Sequence, residues 1–290
     1  MFFVLSSGRS GSKTIAHTLD GFTNCDCFHE PEPSLVVEGP QYYYGELAGQ
    51  AVADILQQRI PPKDHRIYGE SNLFLSLVMP VLNETFPECK FIWLLRDGRE
   101  TVSSMFDRGW FDLSAKRVMP IYHASRLAGD KTGDYTESEW RNLSRFAKCC
   151  WIWLKYNLII EEALRDIPTQ RRMVVRLDTL KSSLPQIQRF LGLRGRRRVR
   201  VQKHNTAFQP VRHWEEWTVE QRDTFERMCG EKMDGWFPEW RDQAGTWMPI
   251  QGEKPDAWPS DSLVRRLLRS SKKRAKRLVN FCNAARHETN

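Results

Sequence analysis

The stretch FFVLSSGRSGSKT, Phe2 to Thr14, runs from four apolar residues through a Ser/Gly/Arg turn into the start of a helical pattern. A buried strand feeding such a turn and a helix N-terminus holds phosphate, because backbone N–H groups and the helix dipole point at one place. The run nearly fits the nucleoside-triphosphate loop G-x-x-x-x-G-K-[ST], with Lys13 and Thr14 in the last two positions. Serines, Ser7 and Ser12, stand where that loop needs its glycines. The alternative centres on Arg9-Ser10-Gly11-Ser12, whose backbone and hydroxyls would hold one phosphate while Arg9 reaches the group being transferred.

Outward from this turn, helical and strand patterns alternate. ELAGQAVADILQQ (46–58) places Ala48, Ala51, Val52, Ile55 and Leu56 on one helical face. RIYGES reads as a short strand, and NLFLSLVMPVLNETF as a helix that Pro80 must kink or end. KFIWLLRD (90–97) is a continuous apolar run suited to the centre of a parallel sheet covered on both faces. GRETVSSMF opens another helix. ESEWRNLSRFAKCCWIWLKYNLIIEEAL reads as one long helix, with Trp140, Leu143, Phe146, Cys150, Trp151 and Leu154 on one side. RMVVRL (172–177) is the next strand, SLPQIQRFLGL the next helix, and TVEQ (218–221) a capping box. The expected fold is α/β, a three-layer sandwich with a central parallel sheet and a P-loop-like phosphate-binding turn.

The second informative stretch is WLLRDGRETVSSMFDR. Arg96 ends the apolar run, Ser104 follows eight residues on, and Arg108 lies four further along the same helix face. Two arginines and a hydroxyl beside the carboxyl edge of a sheet make a second oxyanion site, suited to an extra phosphate on a nucleotide. A triphosphatase has no use for it. With both stretches in view, the sequence resembles the sulfotransferases that use 3′-phosphoadenosine 5′-phosphosulfate (PAPS), above all the tyrosylprotein and the bacterial carbohydrate or small-molecule enzymes. GRSGSKT is similar to the family's 5′-phosphosulfate loop, LLRDGRETVSSM to its 3′-phosphate motif, and VVRLDTL and RFLGL to later landmarks, so the resemblance spans roughly residues 1–240.

The resemblance implies transfer of a sulfuryl group from PAPS to a hydroxyl, or an amine, of a small-molecule, carbohydrate or peptide acceptor, without a metal. Arg9 would stabilise the transferring group, Ser10, Gly11, Ser12, Lys13 and Thr14 would hold the 5′-phosphate, and Arg96, Ser104 and Arg108 the 3′-phosphate. A general base is expected just beyond the first helix, where CFHEPEP offers both His29 and Glu30. Glu30 lies 21 residues after Arg9, the interval found in tyrosylprotein sulfotransferases. Glu70 of YGESN is a further candidate. The family's assisting lysine is replaced by Ser71, with Lys13 or Asn72 as substitutes. The rival is a P-loop kinase or NTPase using ATP and Mg²⁺, with Asp97 as the strand-end metal carboxylate.

Composition narrows the field further. Of the formal charge of +8, residues 260–290 carry +7, from nine basic and two acidic residues. The body, 1–259, is nearly neutral and is taken as the sulfotransferase domain, which argues against nucleic acid as partner. The tail, 260–290, forms a basic amphipathic pattern over 262–279, suited to packing on the body, an anionic membrane surface or an acidic partner. No run of about 18 or more apolar residues occurs, Phe2 to Leu5 reads as a core strand rather than a signal peptide, and seven irregularly spaced cysteines suit reduced thiols in a cytoplasm. Cys25-x-Cys27-x-His29 has a metal-ligand look without a second cluster, so no metal is expected. RGRRRVRVQKHN (194–205) is a basic run that could reach the 3′-phosphate, Trp151 a candidate adenine neighbour, and the aromatics of QYYYGE and RGWFDL candidates for the acceptor pocket. Oligomeric state is not legible.

Overall fold

The computed structural model describes residues 1–60, 66–112, 114, 120–195 and 213–242. The basic tail, most of 194–205 and residues 115–119 lie outside the described residues, as do the expectations placed on them. Five strands, β1 (Phe2–Leu5), β2 (Cys25–His29), β3 (Ile67–Ser71), β4 (Lys90–Leu95) and β5 (Arg172–Arg176), form one sheet in the order β2-β3-β1-β4-β5. Every pairing is parallel, with Phe3 opposite Glu70 and Phe91, and Leu95 opposite Arg176.

Strand residues alternate between two cores because successive side chains leave opposite faces. Phe3, Leu5, Phe91, Trp93 and Leu95 point to one side, covered by α3 (Gly49–Arg59), α4 (Met79–Thr85), α5 (Gly98–Asp107), α8 (Arg145–Arg165) and α10 (Val219–Trp236). Phe2, Val4, Ile92 and Leu94 point to the other, covered by α1 (Ser12–Asp20) and α9 (Leu180–Leu191). This is the expected three-layer α/β sandwich, and the central run 90–95 is apolar throughout because both of its faces are packed. Shorter helices, α2 (Glu38–Tyr43), α6 (Pro120–Ala124) and α7 (Glu137–Asn142), fill the connections. Among the described residues no helix is long and apolar enough to cross a membrane.

Two helical expectations change. The long helix from 137 onward is broken: α7 ends at Asn142, Leu143 is extended, and the Ser144 hydroxyl accepts from Ala147 N to cap a new helix, α8. The apolar rhythm carried across the break because both helices bury that side. Residues 73–85 divide at Val78 into a 3₁₀ turn, Leu73–Leu77, and α4, where Pro80 occupies the first turn, whose N–H groups have no helical acceptor.

The strand order fixes where a ligand can enter. The chain leaves β1 toward β2 on one side and leaves β4 toward β5 on the other, so the switch point, where sheets of this kind take ligands into a crevice, lies between the carboxyl ends of β1 and β4. The turn Ser6–Gly11 and the start of α5 border that crevice.

Candidate active site

The turn after β1 is built from left-handed residues: Gly8 (φ +75°), Arg9 (φ +52°) and Gly11 (φ +87°). Its shape is held from within. Ser10 is fully buried, its hydroxyl donating to Gly8 O at 2.9 Å and lying 2.9 Å from Ser7 Oγ, so this side chain folds the turn rather than facing a ligand. Ser76 anchors the strand exit, accepting from Ser6 N and donating to Ser6 O, both at 3.2 Å. Outside, the Trp110 ring lies on Gly8 and the Leu177 side chain on Gly11, where an added Cβ would sit 2.5 Å from Leu177 Cδ1.

Gly11 starts α1 without a side-chain cap, and no acidic residue lies in the first turn. The N–H groups of that turn and the positive end of the helix are therefore open to an anion. Lys13 is half-buried beside them and Thr14 is mostly covered.

Positive charge gathers at the same place. Arg96 Nη1 donates to Arg9 O at 2.7 Å, while its Nη2 and Nε donate to Glu100 Oε2 at 2.8 and 3.1 Å. Arg9 Nε donates to Ser104 Oγ at 3.2 Å. Burial, with Arg108 and Arg96 close by, pushes the Arg9 guanidinium down to about 10, which still leaves it a cation at neutral pH. The four side chains expected to act together, Arg9, Arg96, Ser104 and Arg108, are thus gathered in one crevice from two stretches some 90 residues apart.

His29 and Glu30 stand at the end of β2, on the edge of this group. His29 Nε2 is 3.0 Å from Ser12 Oγ, and burial, with Lys13 and His17 nearby, pushes its imidazole down to about 4, so it is neutral. Glu30 follows in a left-handed conformation (φ +49°) with its N–H on Ser71 O at 3.1 Å. Burial raises its carboxyl above the ordinary range, the Arg9 charge opposes this, and Glu32 and Glu70 reinforce it. A carboxyl beside Arg9 and shifted toward neutral pH has the character of a proton acceptor. Tyr122 on α6 faces the same region, its phenol pushed up by burial and then by Glu30 and Glu32.

Other sequence candidates are committed elsewhere. Glu70 is 0% exposed and paired with Arg59 at 2.6 Å, with Tyr68 OH donating to its second oxygen. No proton on an acceptor can reach it. Ser71 is fully buried, and Asn72 spends its amide on Phe74 N and Glu70. Asp97 caps α5, accepting from Arg99 N at 2.8 Å, and pairs with the Arg99 guanidinium at 2.6 Å. That leaves it poorly placed as the metal carboxylate of a kinase. Cys25 and Cys27 face the apolar core, and burial raises both thiols, the Cys25 thiol to about 12. Trp151 donates to Asp134 Oδ2 at 3.0 Å and packs on Trp140, which makes it a core residue.

Three contacts had no signal in the sequence: Trp110 on Gly8, Leu177 on Gly11, and Arg126 stacked 4.5 Å over Trp110. Each joins residues far apart in the chain with no shared motif.

No family model and no curated protein matches this chain. Solved structures similar to it include the sulfotransferase domain from the curacin biosynthetic pathway, 17% identical over 94% of this chain and 97% of that one, with a TM-score of 0.44. The sulfotransferase from Alicyclobacillus acidocaldarius is 13% identical over 83% and 98%, at 0.48. Mouse sulfotransferase SULT7A1, complexed with PAP, is 18% identical over 82% and 85%, at 0.46.

Proposed function

We propose that this protein transfers a sulfuryl group from PAPS to a hydroxyl of an acceptor, with Glu30 as general base. The observation that supports this best is the gathering of Arg9, Arg96, Ser104 and Arg108 beside an uncapped helix N-terminus in the crevice between β1 and β4. A nucleotide carrying phosphates at both its 5′ and 3′ ends offers an anion to each half of such a crevice. A nucleoside triphosphate offers only one.

In this reading the first-turn N–H groups of α1 and Lys13 hold the 5′-phosphate, while Arg96, Ser104 and Arg108 hold the 3′-phosphate. Arg9 meets the transferring group and the oxygen it leaves. Its guanidinium stays charged and is held by the Ser104 hydroxyl, while Arg96 fixes its backbone carbonyl. The reaction exchanges one sulfur–oxygen bond for another: the acceptor oxygen bonds to sulfur, the bond from sulfur to the phosphate oxygen breaks with its electron pair, and Glu30 takes the acceptor proton. Such a loose displacement needs placement and charge more than covalent help. His29, neutral and engaged with Ser12, supports the turn. The aromatic surroundings of Tyr122 and Trp110 suit a small acceptor with a flat or apolar body.

The deciding experiment is thermal-shift titration with 3′-phosphoadenosine 5′-phosphate, with and without EDTA, against ATP plus Mg²⁺. The expected result is stabilisation by the bisphosphate that survives EDTA and is lost in Arg96→Ala and Ser104→Ala. Stabilisation by ATP and Mg²⁺ alone would overturn the reading.

A further inference from the structure

We propose that Arg59 is a positioning residue for the acceptor half of the site, holding the segment that carries Glu30 by joining the Glu70 carboxylate to the Pro33 carbonyl. The inference rests on Glu30 being the base. Arg59 is the last residue of α3, and its side chain is 1% exposed. One nitrogen, Nη2, pairs with Glu70 Oε1 at 2.6 Å, and Nη1 donates to Pro33 O at 2.7 Å. Tyr68 OH and Asn72 Nδ2 approach the same carboxylate, at 3.1 and 3.4 Å, so Glu70 is a fixed anchor on β3.

The segment from Glu30 to Pro33 is consequently pinned at both ends. Its first N–H is on Ser71 O, and its last carbonyl is on Arg59. Between these pins Glu30 adopts a left-handed backbone, a conformation that residues with a Cβ keep only when their surroundings impose it. The charges facing the Glu30 carboxyl come from Arg9 on the turn after β1, Glu32 on its own segment and Glu70 on β3, and the neutral Tyr122 phenol on α6 lies near it. Arg59 both fixes the backbone and offsets the Glu70 charge. A buried ion pair is often no more stabilising than an apolar pair of the same size, so stability alone does not account for this one. The grip on Pro33 does.

The test compares wild type with Arg59→Met and with the double variant Arg59→Met, Glu70→Gln, which leaves no orphaned buried charge if the single variant folds poorly. The bisphosphate thermal shift should persist in the double variant, since no donor-site residue is altered. Amide exchange of the peptide covering residues 28–36 should accelerate at least tenfold, while strand β3 keeps its protection. In protein carrying ¹³C-labelled glutamate, with the resonance assigned by its loss in Glu30→Gln, the Glu30 carboxyl should titrate at lower pH in the double variant than in Glu70→Gln alone, because both lack the Glu70 charge that raises it and only the loosened segment lets water in. Unchanged exchange over 28–36, the same Glu30 titration in those two variants, or acceleration spread evenly over the whole sheet would each refute the proposal. A wild-type protein that the bisphosphate fails to stabilise would instead refute the functional reading on which it rests.

Discussion

At the scale of single residues, the two neighbours His29 and Glu30 are driven in opposite senses by the same burial. The His29 imidazole sits near 4 when folded against about 6.5 for an unfolded chain. The unfolded state therefore binds the extra proton, and this contribution to stability is complete above about pH 6.5 and is lost as pH falls toward 4. Melting temperatures from pH 7 to 4 should drop less steeply in His29→Asn than in wild type, and parallel curves would mean that the imidazole is not held neutral. Glu30, raised above the ordinary carboxylate range, should impose an acid limb on the transfer rate at a pH above that of an ordinary glutamate. Its replacement by Gln should cut kcat by about 10²- to 10⁴-fold, the usual worth of a positioned base, with bisphosphate binding retained. Steady-state rates and the thermal shift, measured on the same sample, separate these effects. Glu70 illustrates the limit of reading residues in sequence: it has the same chemistry as Glu30, and only the long-range approach of Arg59 shows that it is an anchor.

At the scale of elements, the turn between β1 and α1 was legible because its chemistry is local. Gly8 and Gly11 supply left-handed backbone, and the following helix lacks a cap. What presses on the turn was not legible, since Leu177 arrives from the far end of β5 and Trp110 from beyond α5. This gives a sharp expectation for Gly11→Ala. The new methyl meets Leu177 and a left-handed backbone at once, so denaturant unfolding should show a loss of about 1–3 kcal/mol from overpacking plus about 1–2 from the handedness. Measured against Leu177→Ala alone, Gly11→Ala should cost only the second part. The break between α7 and α8 teaches the converse lesson. Periodicity reports which side of a segment is buried, and two helices that share a buried side share a period. The serine cap at 144 was present in the sequence, but its meaning depends on Leu143 being extended.

At the scale of the molecule, the alternating pattern of apolar runs and amphipathic helices was enough for the three layers, because a strand covered on both faces must be apolar at every position. The order of the strands was not in the pattern. It is this order that turns two separate arginine motifs into neighbours across one crevice. Because residues 1–259 are nearly neutral overall, attraction of a multiply charged nucleotide, in the reading proposed above, would fall to the local group of Arg9, Arg96 and Arg108. Bisphosphate affinity measured calorimetrically should weaken at least several-fold between about 0.05 and 0.5 M NaCl, as the Debye length shrinks from over 10 Å to under 5 Å. An affinity indifferent to salt would mean that hydrogen bonds from the turn, and not the arginines, dominate.

The position of β2 has a consequence in time. The chain makes β2 second, yet the strand that β2 pairs with is β3, which lies between it and β1 and is made later. Until residues 67–71 arrive, neither β1 nor the strand bearing His29 has another strand to pair with, since the partners of β1 are β3 and β4 and that of β2 is β3. The strands that carry the turn and His29 therefore enter the sheet through one arriving strand, and Arg96, Ser104 and Arg108 are made only after it. The close fit of Gly69 against the Phe2 ring, where any added side chain would clash, becomes the step by which a nascent chain draws its first two strands into one sheet.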